Sequence, residues 1–306
     1  MKSLEDFWNK IEQRFNEDHK QIEISTIIYE NGIYKGEQKQ GKRIGKGICY
    51  TNTGEIYCGE WNILFEGQGS LKYNNKEIYI GQFEQGLRHG SGEYFYENGD
   101  RYEGSWKKDQ KNGKGKLWYQ NGDIFDGEWK FDVKDGQGIL KAQKTQNNDY
   151  EFIYQGQWND DQRSKQGIYT LKNGDIYEGG IENSKKKGVG TYKYQNGDIY
   201  TGDFLDDQKH GQGILQQSQF TYEGEWVYGQ ISKGKCHYSN GESYEGQFVN
   251  GLRQGQGKYI WQDGSSYDGE WKQNKMNGVG TFYDVDGKVI HGRFVDDKLI
   301  QRNDQY

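Results

Sequence analysis

The stretch GEYFYENGDRYEGSWKKDQKNGKGKLWYQNGDIFDGEW, residues 92–129, contains one signal twice. Tyr-Glu-Gly-Ser-Trp at 102–106 returns 23 residues later as Phe-Asp-Gly-Glu-Trp at 125–129. Glu-Asn-Gly-Asp before the first copy likewise returns as Gln-Asn-Gly-Asp before the second. Self-similarity at a period of about 20–50 residues is typical of repeat architectures. The stretch therefore predicts a fold built from one small unit that is used many times.

The aromatic-x-Gly signal runs through nearly the whole chain after residue 33. Its first residue falls at Tyr34, Tyr57, Tyr79, Tyr102, Phe125, Tyr154, Tyr177, Tyr200, Tyr222, Tyr244, Tyr267 and, in degenerate form, Ile290. The spacing is 22 or 23 residues except for one interval of 29, which holds the insertion ILKAQKTQNNDYEFI at 139–153. The pattern predicts eleven repeats and a partial twelfth.

Composition indicates a folded chain that packs through aromatic rings. The 306 residues include 46 Gly, no Pro and a single Ala, Ala142, which disfavours long helices. Aromatic residues make up 15% and the net charge is only −6, whereas disordered chains are poor in aromatics and usually carry a larger charge imbalance. We therefore expect an ordered, all-β protein.

Several functional classes are disfavoured at this level. No stretch approaches 18 apolar residues, and MKSLEDFWNK at the N-terminus lacks the apolar core of a signal peptide. Three Cys do not form a disulfide framework, so we expect a reducing, cytoplasmic location. The pI of about 5.6 gives no support for nucleic acid as a partner.

The repeat signal has the parity of a β-strand. Tyr102, Gly104 and Trp106 lie at i, i+2 and i+4, which places them on one face, and the polar residues between them face the other way. Gly residues leave room above the backbone for rings of neighbouring strands, a known means of stabilising strands. Each repeat is therefore predicted to be a hairpin with one face of Gly and rings.

Turn signals agree with hairpins. Asn-Gly recurs at 98–99, 121–122, 173–174, 196–197 and 240–241. Asn-Gly between alternating segments predicts a tight hairpin because both residues tolerate positive φ. The other connection, residues 106–113, is predicted to be longer and polar.

This pattern, Tyr-x-Gly-x-Trp followed by Gly-x-Gly and an Asn-Gly-Asp turn, resembles the MORN repeat. The resemblance covers residues 34–297 and implies a single-layer antiparallel β-meander ribbon of stacked hairpins. Three positions depart from the pattern: Lys76 replaces a turn Gly, Lys165 replaces the first Gly of Gly-x-Gly, and Ile181 replaces the Trp. We expect these changes to loosen single hairpins without changing the fold.

The segment before the array predicts a short amphipathic helix within residues 1–21. Leu4, Phe7, Trp8, Ile11 and Phe15 share one helical face. One interpretation is a cap that folds onto the first hairpins, and the other is a helix that docks in a groove of a partner. Residues 22–33 resemble the second half of a repeat and predict a capping strand, while 298–306 are assigned to a C-terminal tail.

Two further surfaces are candidates for binding partners. The aromatic face would present one ring per repeat, namely Trp61, Phe83, Trp106, Trp129, Trp158, Phe204, Trp226, Phe248 and Trp271. The Asn-Gly-Asp turns would bring acids into a row at one edge, namely Asp100, Asp123, Asp175, Asp198, Glu242 and Asp263. The alternatives are that the rings only pack on one another and that Asp simply suits turns.

No motif predicts a catalytic, cofactor or metal site. His89 and His210 occupy a variable turn position, and the near-match to a phosphate loop at 36–43 lacks the Ser or Thr that would hold Mg²⁺. By parity Cys49 lies on the aromatic face and Cys58 on the polar face, so a disulfide is not expected.

The sequence therefore favours a non-enzymatic scaffold that binds other proteins along a repeat surface. The array most resembles the MORN proteins of the radial spoke head in motile cilia, which implies a subunit of an axonemal assembly. The alternative is a phospholipid-binding adaptor between membrane and cytoskeleton. Membrane attraction needs dense basic clusters, and 185–187 is the best of them. An enzyme ranks third, because MORN enzymes carry an added catalytic domain.

Overall fold

The computed structural model describes residues 3–18, 25–143 and 150–302, and the chain divides into two compact units, residues 1–162 and 163–306. The described residues of the first unit form one helix and twelve strands: α1 (Leu4–Asp18), β1 (Ser25–Tyr29), β2 (Gly32–Lys39), β3 (Lys42–Thr51), β4 (Ile56–Asn62), β5 (Leu64–Lys72), β6 (Ile78–Glu84), β7 (Leu87–Phe95), β8 (Arg101–Lys107), β9 (Gln110–Trp118), β10 (Ile124–Lys130), β11 (Val133–Gln143) and β12 (Tyr150–Asn159).

The second unit begins with the strand that crosses the boundary and has strands only among its described residues. They are β13 (Gln162–Leu171), β14 (Ile176–Glu182), β15 (Lys185–Lys193), β16 (Ile199–Leu205), β17 (Gln208–Gln216), β18 (Phe220–Val227), β19 (Gln230–Tyr238), β20 (Ser243–Val249), β21 (Leu252–Ile260), β22 (Ser266–Lys272), β23 (Lys275–Tyr283), β24 (Val289–Val295) and β25 (Lys298–Arg302).

Within each unit, every strand pairs antiparallel with the next strand along the chain. In the first unit, for example, β8 pairs with β7 on one side and with β9 on the other. The strands form a single layer with two faces. The ring face carries Tyr102, Gly104, Trp106 and their equivalents in other repeats, and the outer face carries the residues between them, such as Glu103 and Ser105. The predicted fold class, an all-β antiparallel meander of hairpin repeats with an N-terminal helix, is confirmed.

Glycines of neighbouring strands lie opposite one another, beneath a tyrosine ring. Gly104 pairs with Gly92 on one side and with Gly115 on the other. Tyr102 lies over this pair, so that a Cβ on Gly115 would sit only 2.5 Å from the Tyr102 Cζ. The ring is held there because its hydroxyl donates a 3.1 Å hydrogen bond to the Ser105 carbonyl. The repeat therefore needs Gly on the ring side, where it makes room for Tyr.

Both kinds of turn connect adjacent strands as hairpins, but their geometry differs from the prediction. At the Asn-Gly turns only the Gly has positive φ, 92° at Gly99, and its N–H donates to the Tyr96 carbonyl at 3.1 Å. Such a four-residue turn with Gly in the last position is the commoner kind, and it leaves Asn98 free to accept from the Asp100 N–H at 2.9 Å.

The connection predicted at 106–113 is instead a tight two-residue turn. Lys108 and Asp109 both adopt positive φ, 51° and 68°, between β8 and β9. A register shift between Gly104 and Trp106 absorbs the additional residue, which is how a β-bulge acts. The expectation of a long polar loop was wrong because the bulge lets both strands continue almost to the turn.

The outer face of the first unit is not polar throughout, which corrects the assignment of Cys58 to a polar face. Ile48, Cys58, Ile78 and Phe95 are buried there together with Trp8 of α1. The predicted alternation holds further along, where Glu103 and Ser105 occupy the same face of β8. In the first unit the outer face is apolar where α1 covers it, and polar residues such as Glu103 and Ser105 occupy it on β8.

The three departures from the repeat pattern are accommodated locally. Lys76 and Lys165 adopt the positive φ of the glycines that they replace, 72° and 60°, and Ile181 is buried in the place of a ring. In the segment assigned to a C-terminal tail, the structure places β25, which pairs with β24 through Val295 and Lys298. The insertion lengthens β11 and β12, and residues 144–149 lie outside the described residues.

Candidate binding surfaces

The aromatic series is buried in the ring face. The nine residues Trp61, Phe83, Trp106, Trp129, Trp158, Phe204, Trp226, Phe248 and Trp271 are each only 3–5% exposed. Trp106 is representative: its indole N–H donates to the Gly92 carbonyl at 3.1 Å, and it meets the rings of Tyr102 and Tyr79 edge-on at 5.2 and 5.3 Å. These rings are used in packing one hairpin against the next, and their role in partner binding stays a prediction.

A basic residue lies on each tryptophan of this series, which the sequence analysis missed. The cations are Arg43 on Trp61, Arg88 on Trp106, Lys111 on Trp129, Lys134 on Trp158, Lys209 on Trp226 and Arg253 on Trp271, at 4.5–5.4 Å from the ring centroids. A sequence signal for them exists, since each stands two residues before a repeat Gly.

The acids of the predicted edge bind neighbouring turns. Asp100 accepts the Gln120 N–H at 2.7 Å, and Asp123 accepts the Gln143 N–H at 2.7 Å. In the second unit, Asp198 accepts from the Gln217 side chain and Glu242 from the Tyr259 hydroxyl at 2.6 Å. Asp263, the last of the row, accepts from both the N–H and the hydroxyl of Ser265.

Asp175 is the most enclosed of these acids, at 8% exposed. It accepts the Gln195 N–H and the Tyr192 hydroxyl, both at 2.8 Å, and the Asn173 amide at 2.9 Å. Burial acts to raise the pKa of Asp175, but these hydrogen bonds outweigh it and hold the pKa below its ordinary value. The carboxylate is part of the turn structure, and its role as a docking point for a basic partner stays a prediction.

Helix α1 lies on the outer face of the first unit. Leu4, Phe7, Ile11 and Phe15 pack against the buried cluster, and the ring of Phe7 is 5.0 Å from that of Phe95. Polar contacts hold the first turn and the middle of the helix: Lys72 pairs with Glu5 at 2.8 Å, and the Tyr50 hydroxyl donates to Glu12 at 2.6 Å. All five residues of the predicted helical face therefore meet the sheet of their own chain.

The lysines of the basic cluster at 185–187 already have partners within the chain. Lys185 pairs with Asp206 at 3.2 Å, and Lys187 pairs with Glu182. Lys186 lies over the Tyr192 ring at 5.0 Å, and burial lowers its pKa. These lysines are therefore a poor match for the free basic cluster that an anionic membrane would need.

The outer face of the second unit exposes apolar side chains that correspond to those beneath α1. Ile168 and Ile176, on the adjacent strands β13 and β14, are each 37% exposed, as is Ile214 on β17. Further exposed apolar residues on later strands of this unit include Ile260 and Val279. Exposed apolar residues in series are typical of interaction surfaces.

The three cysteines are free thiols and all are buried. Among residues 3–18, 25–143 and 150–302, no helix is both long and apolar enough to cross a membrane.

Comparison with known proteins agrees with the geometry. The family model described as "MORN repeat" matches nine segments, 79–101, 102–124, 125–142, 154–176, 177–199, 200–218, 222–243, 244–266 and 267–289, which together exceed half of the chain. No curated protein matches the chain.

Solved structures give looser likenesses. The TCP10 domain of Danio rerio CPAP, in complex with a STIL peptide, is 11% identical, with a TM-score of 0.35, over 89% of this chain and 99% of that one. The SAS-4 (dCPAP) TCP domain of Drosophila melanogaster, in complex with a proline-rich motif of Ana2, is 14% identical, with a TM-score of 0.26, over 64% and 84%. At these TM-scores the likenesses carry no argument about function.

Proposed function

Because this chain belongs to the MORN-repeat family, we propose that it is a non-enzymatic scaffold that binds other proteins along its repeat surfaces. We further propose that it is a subunit of a cytoskeletal assembly of the ciliary axoneme, such as the radial spoke head. The observation that carries the binding proposal is the seat of α1, where the outer face of the first unit binds an amphipathic helix through apolar contacts and two polar ones.

The energetic basis is the exposed apolar area of the second unit. Burying an apolar side chain is favourable by about 25 cal/mol for each Å² removed from water. Ile168, Ile176 and Ile214 do not gain all of this in the free protein, since each remains 37% exposed. A partner helix with an apolar face, of the kind that α1 offers to the first unit, would cover them.

The ring face supports a scaffold role in a different way. Its rings fill the space above the glycines, with Tyr102 and Trp106 packed edge-on and nearly fully buried. A single layer packed in this way presents an extended surface within each unit. Extended surfaces of this kind are what repeat proteins use to bind other proteins.

The experiment uses a double variant of the outer face, Ile168→Lys with Ile176→Glu. The cross-strand neighbour of Ile168 is Glu178 and that of Ile176 is Lys193, so each new charge meets an opposite charge and the hairpins stay paired. Val285→Lys is the matched control, because Val285 is also exposed but lies in a turn.

Tagged wild-type protein should be retained in detergent-stripped axonemes of motile cells and should co-purify with partners in fixed stoichiometry. The double variant should lose those partners without a change in melting temperature, and Val285→Lys should keep them. A wild-type protein that is fully released by detergent and runs alone on size exclusion would overturn the axonemal proposal. Flotation with anionic vesicles that depends on 185–187 would favour the membrane adaptor instead.

A further inference from the structure

Phe131 is a bulky aromatic residue held in an unfavourable backbone conformation without packing to justify it. It occupies the first position of the two-residue turn between β10 and β11, with φ of 51°, and 61% of it is exposed. Positive φ in a bulky residue is a genuine outlier, and such strain is found preferentially at functional sites. Strain and exposure together indicate that the ring is kept for contact with something else.

Most equivalent turns carry a polar residue at this position. In chain order they are Gln40, Gln85, Lys108, Asp160, Asn183, Asp206, Asn250, Gln273 and Asp296. Asn and Asp tolerate positive φ several-fold better than other residues. The second aromatic exception is Tyr228, with φ of 45° and 68% exposure.

The surroundings of Phe131 are basic. Lys107 and Lys108 lie at the tip of the preceding hairpin, and Lys130 adjoins Phe131 itself. Together with Lys114 they line a groove of about 710 Å³ between the two hairpins, with Phe131 at its rim. Among the described residues none of these four lysines forms an ion pair, in contrast to Lys72 and Lys185, which do.

The groove also contains groups that suit a peptide better than a lipid surface. Gln110 and Asn112 offer amides that can bond a peptide backbone. Glu128 and Asp135 lie in the same lining, so its charge is mixed rather than uniformly basic. The next hairpin tip carries Asp160 and Asp161, so the charge does not extend as a basic plane.

We propose that this groove binds an acidic protein segment, whose carboxylates pair with Lys107, Lys108, Lys114 and Lys130 and whose apolar residue covers Phe131. The inference rests on the proposed scaffold function and specifies one class of partner for it. The groove lies in the first unit, whereas the exposed Ile168, Ile176 and Ile214 belong to the second unit, so the two proposals can fail independently. The four lysines attract an acidic segment only close to the groove, because the chain as a whole carries a net charge of −6.

The first test measures binding of a synthetic peptide of glutamates interrupted by leucines, by fluorescence anisotropy, at low and at physiological salt. Wild type should bind at low salt, with an affinity that falls at least threefold at the higher salt. Lys108→Gln with Lys130→Gln should weaken binding at least tenfold, whereas Lys185→Gln, at a lysine already paired with Asp206, should leave it unchanged.

The second test separates binding from folding. Phe131→Asn should weaken the peptide at least fivefold while the melting temperature stays equal or rises, because Asn relieves the turn. Tyr228→Asn is the matched control and should likewise keep or raise the melting temperature without any change in peptide affinity. If Phe131→Asn and Tyr228→Asn change the melting temperature equally and neither changes peptide affinity, Phe131 has no binding role.

The remaining outcomes are also decisive. Absence of peptide binding by wild type at low salt would overturn the inference, as would stronger binding to phosphatidylserine vesicles that Phe131→Asn abolishes, which would assign the groove to membranes. The Ile168→Lys/Ile176→Glu variant should bind the peptide as wild type does. If it loses its cellular partners while peptide binding persists, the two surfaces are independent, and a failure of either proposal is visible alone.

Discussion

The guanidinium of Arg88 lies 4.5 Å from the ring centroid of Trp106, the aromatic residue of the following repeat. Arg88 is held there by Asp109, which accepts the Arg88 backbone N–H at 2.8 Å and its Nε–H at 3.1 Å. Asp109 belongs to the turn that follows Trp106. Arg88 therefore connects its own hairpin to both the ring and the turn of the next repeat.

The identity of the ring and of the residue on it are related. Where the aromatic residue of the next repeat is Trp, the residue that lies on it is Lys or Arg, as Arg88 lies on Trp106. Where it is Phe83, Phe248 or Phe294, the equivalent position holds Phe65, Ile231 or Met276. Lys186 and Arg163, which precede Phe204 and Ile181, depart from this rule, and their cations lie over Tyr177 and Tyr169.

The relation predicts coupling between Arg88 and Trp106. Arg88→Met should cost about 1–2 kcal/mol of unfolding free energy, from the cation–π contact and the hydrogen bonds to Asp109. Trp106→Phe should also destabilise. The double variant reproduces the Met–Phe combination of 276 and 294 and should cost less than the two single changes together. Chemical denaturation of all four proteins gives the coupling energy, and strict additivity would contradict it.

Glycines beneath a tyrosine ring should be far more sensitive than glycines that serve only a turn. In Gly115→Ala the new Cβ meets the Tyr102 ring at 2.5 Å, so ring or backbone must move, and we expect a loss of about 2–4 kcal/mol. Gly197 is the control: it has φ of 91° in an Asn-Gly turn but open space around it, so Gly197→Ala should cost only about 1–2 kcal/mol. Thermal melts compare the two, and equal losses would mean that ring cover is unimportant.

Sequence reasoning found the repeat, the strand parity and the helix, because each is written as a period in the chain. Tyr102, Gly104 and Trp106 share a face for the reason that their spacing gave. The Asn-Gly dipeptides marked hairpins correctly but did not fix the turn geometry, because the dipeptide is compatible with two turn types. Hydrogen bonds made by Tyr96 and Asp100, which the dipeptide does not specify, select between them.

The binding surfaces were harder to predict for a physical reason. Parity assigns a residue to a face but not to a degree of exposure, so it could not distinguish a ring offered to a partner from one such as Trp106, which is buried under its neighbours. The parity argument also treated the outer face as uniformly polar. Ile48 and Ile78 lie at outer-face positions, and they indicate where α1 packs.

Asp175 predicts a dependence of stability on pH. Its pKa in the folded protein lies below the unfolded value of about 3.9, so its stabilising effect is complete above that value and is lost as pH falls through the folded pKa. At pH 7, Asp175→Asn should reduce the free energy of unfolding by about 1–3 kcal/mol and so lower the melting temperature. The difference in stability between variant and wild type should shrink as pH falls below about 4. Asp126→Asn, at an exposed acid, should show little effect at either pH.

Cys58 reports whether α1 is seated. It is 3% exposed beneath the helix, and burial raises its pKa, so the thiol stays protonated and protected. In a Cys49→Ser/Cys236→Ser background, Cys58 should react slowly with a thiol reagent in the full chain. Trp8→Asp should unseat the helix and raise the rate at least tenfold, because a charge in the place of that buried ring cannot pack against Ile48 and Ile78.

The exposed helix position Lys10 provides the control, since Lys10→Asp changes the charge of α1 by the same sign without touching the buried cluster. It should leave the labelling rate of Cys58 within about twofold of wild type. A peptide of residues 1–20 added in excess should slow labelling of the Trp8→Asp protein again, since the empty seat is the site that α1 itself fills. Equal labelling rates in wild type and Trp8→Asp would mean that the helix does not protect the outer face in solution.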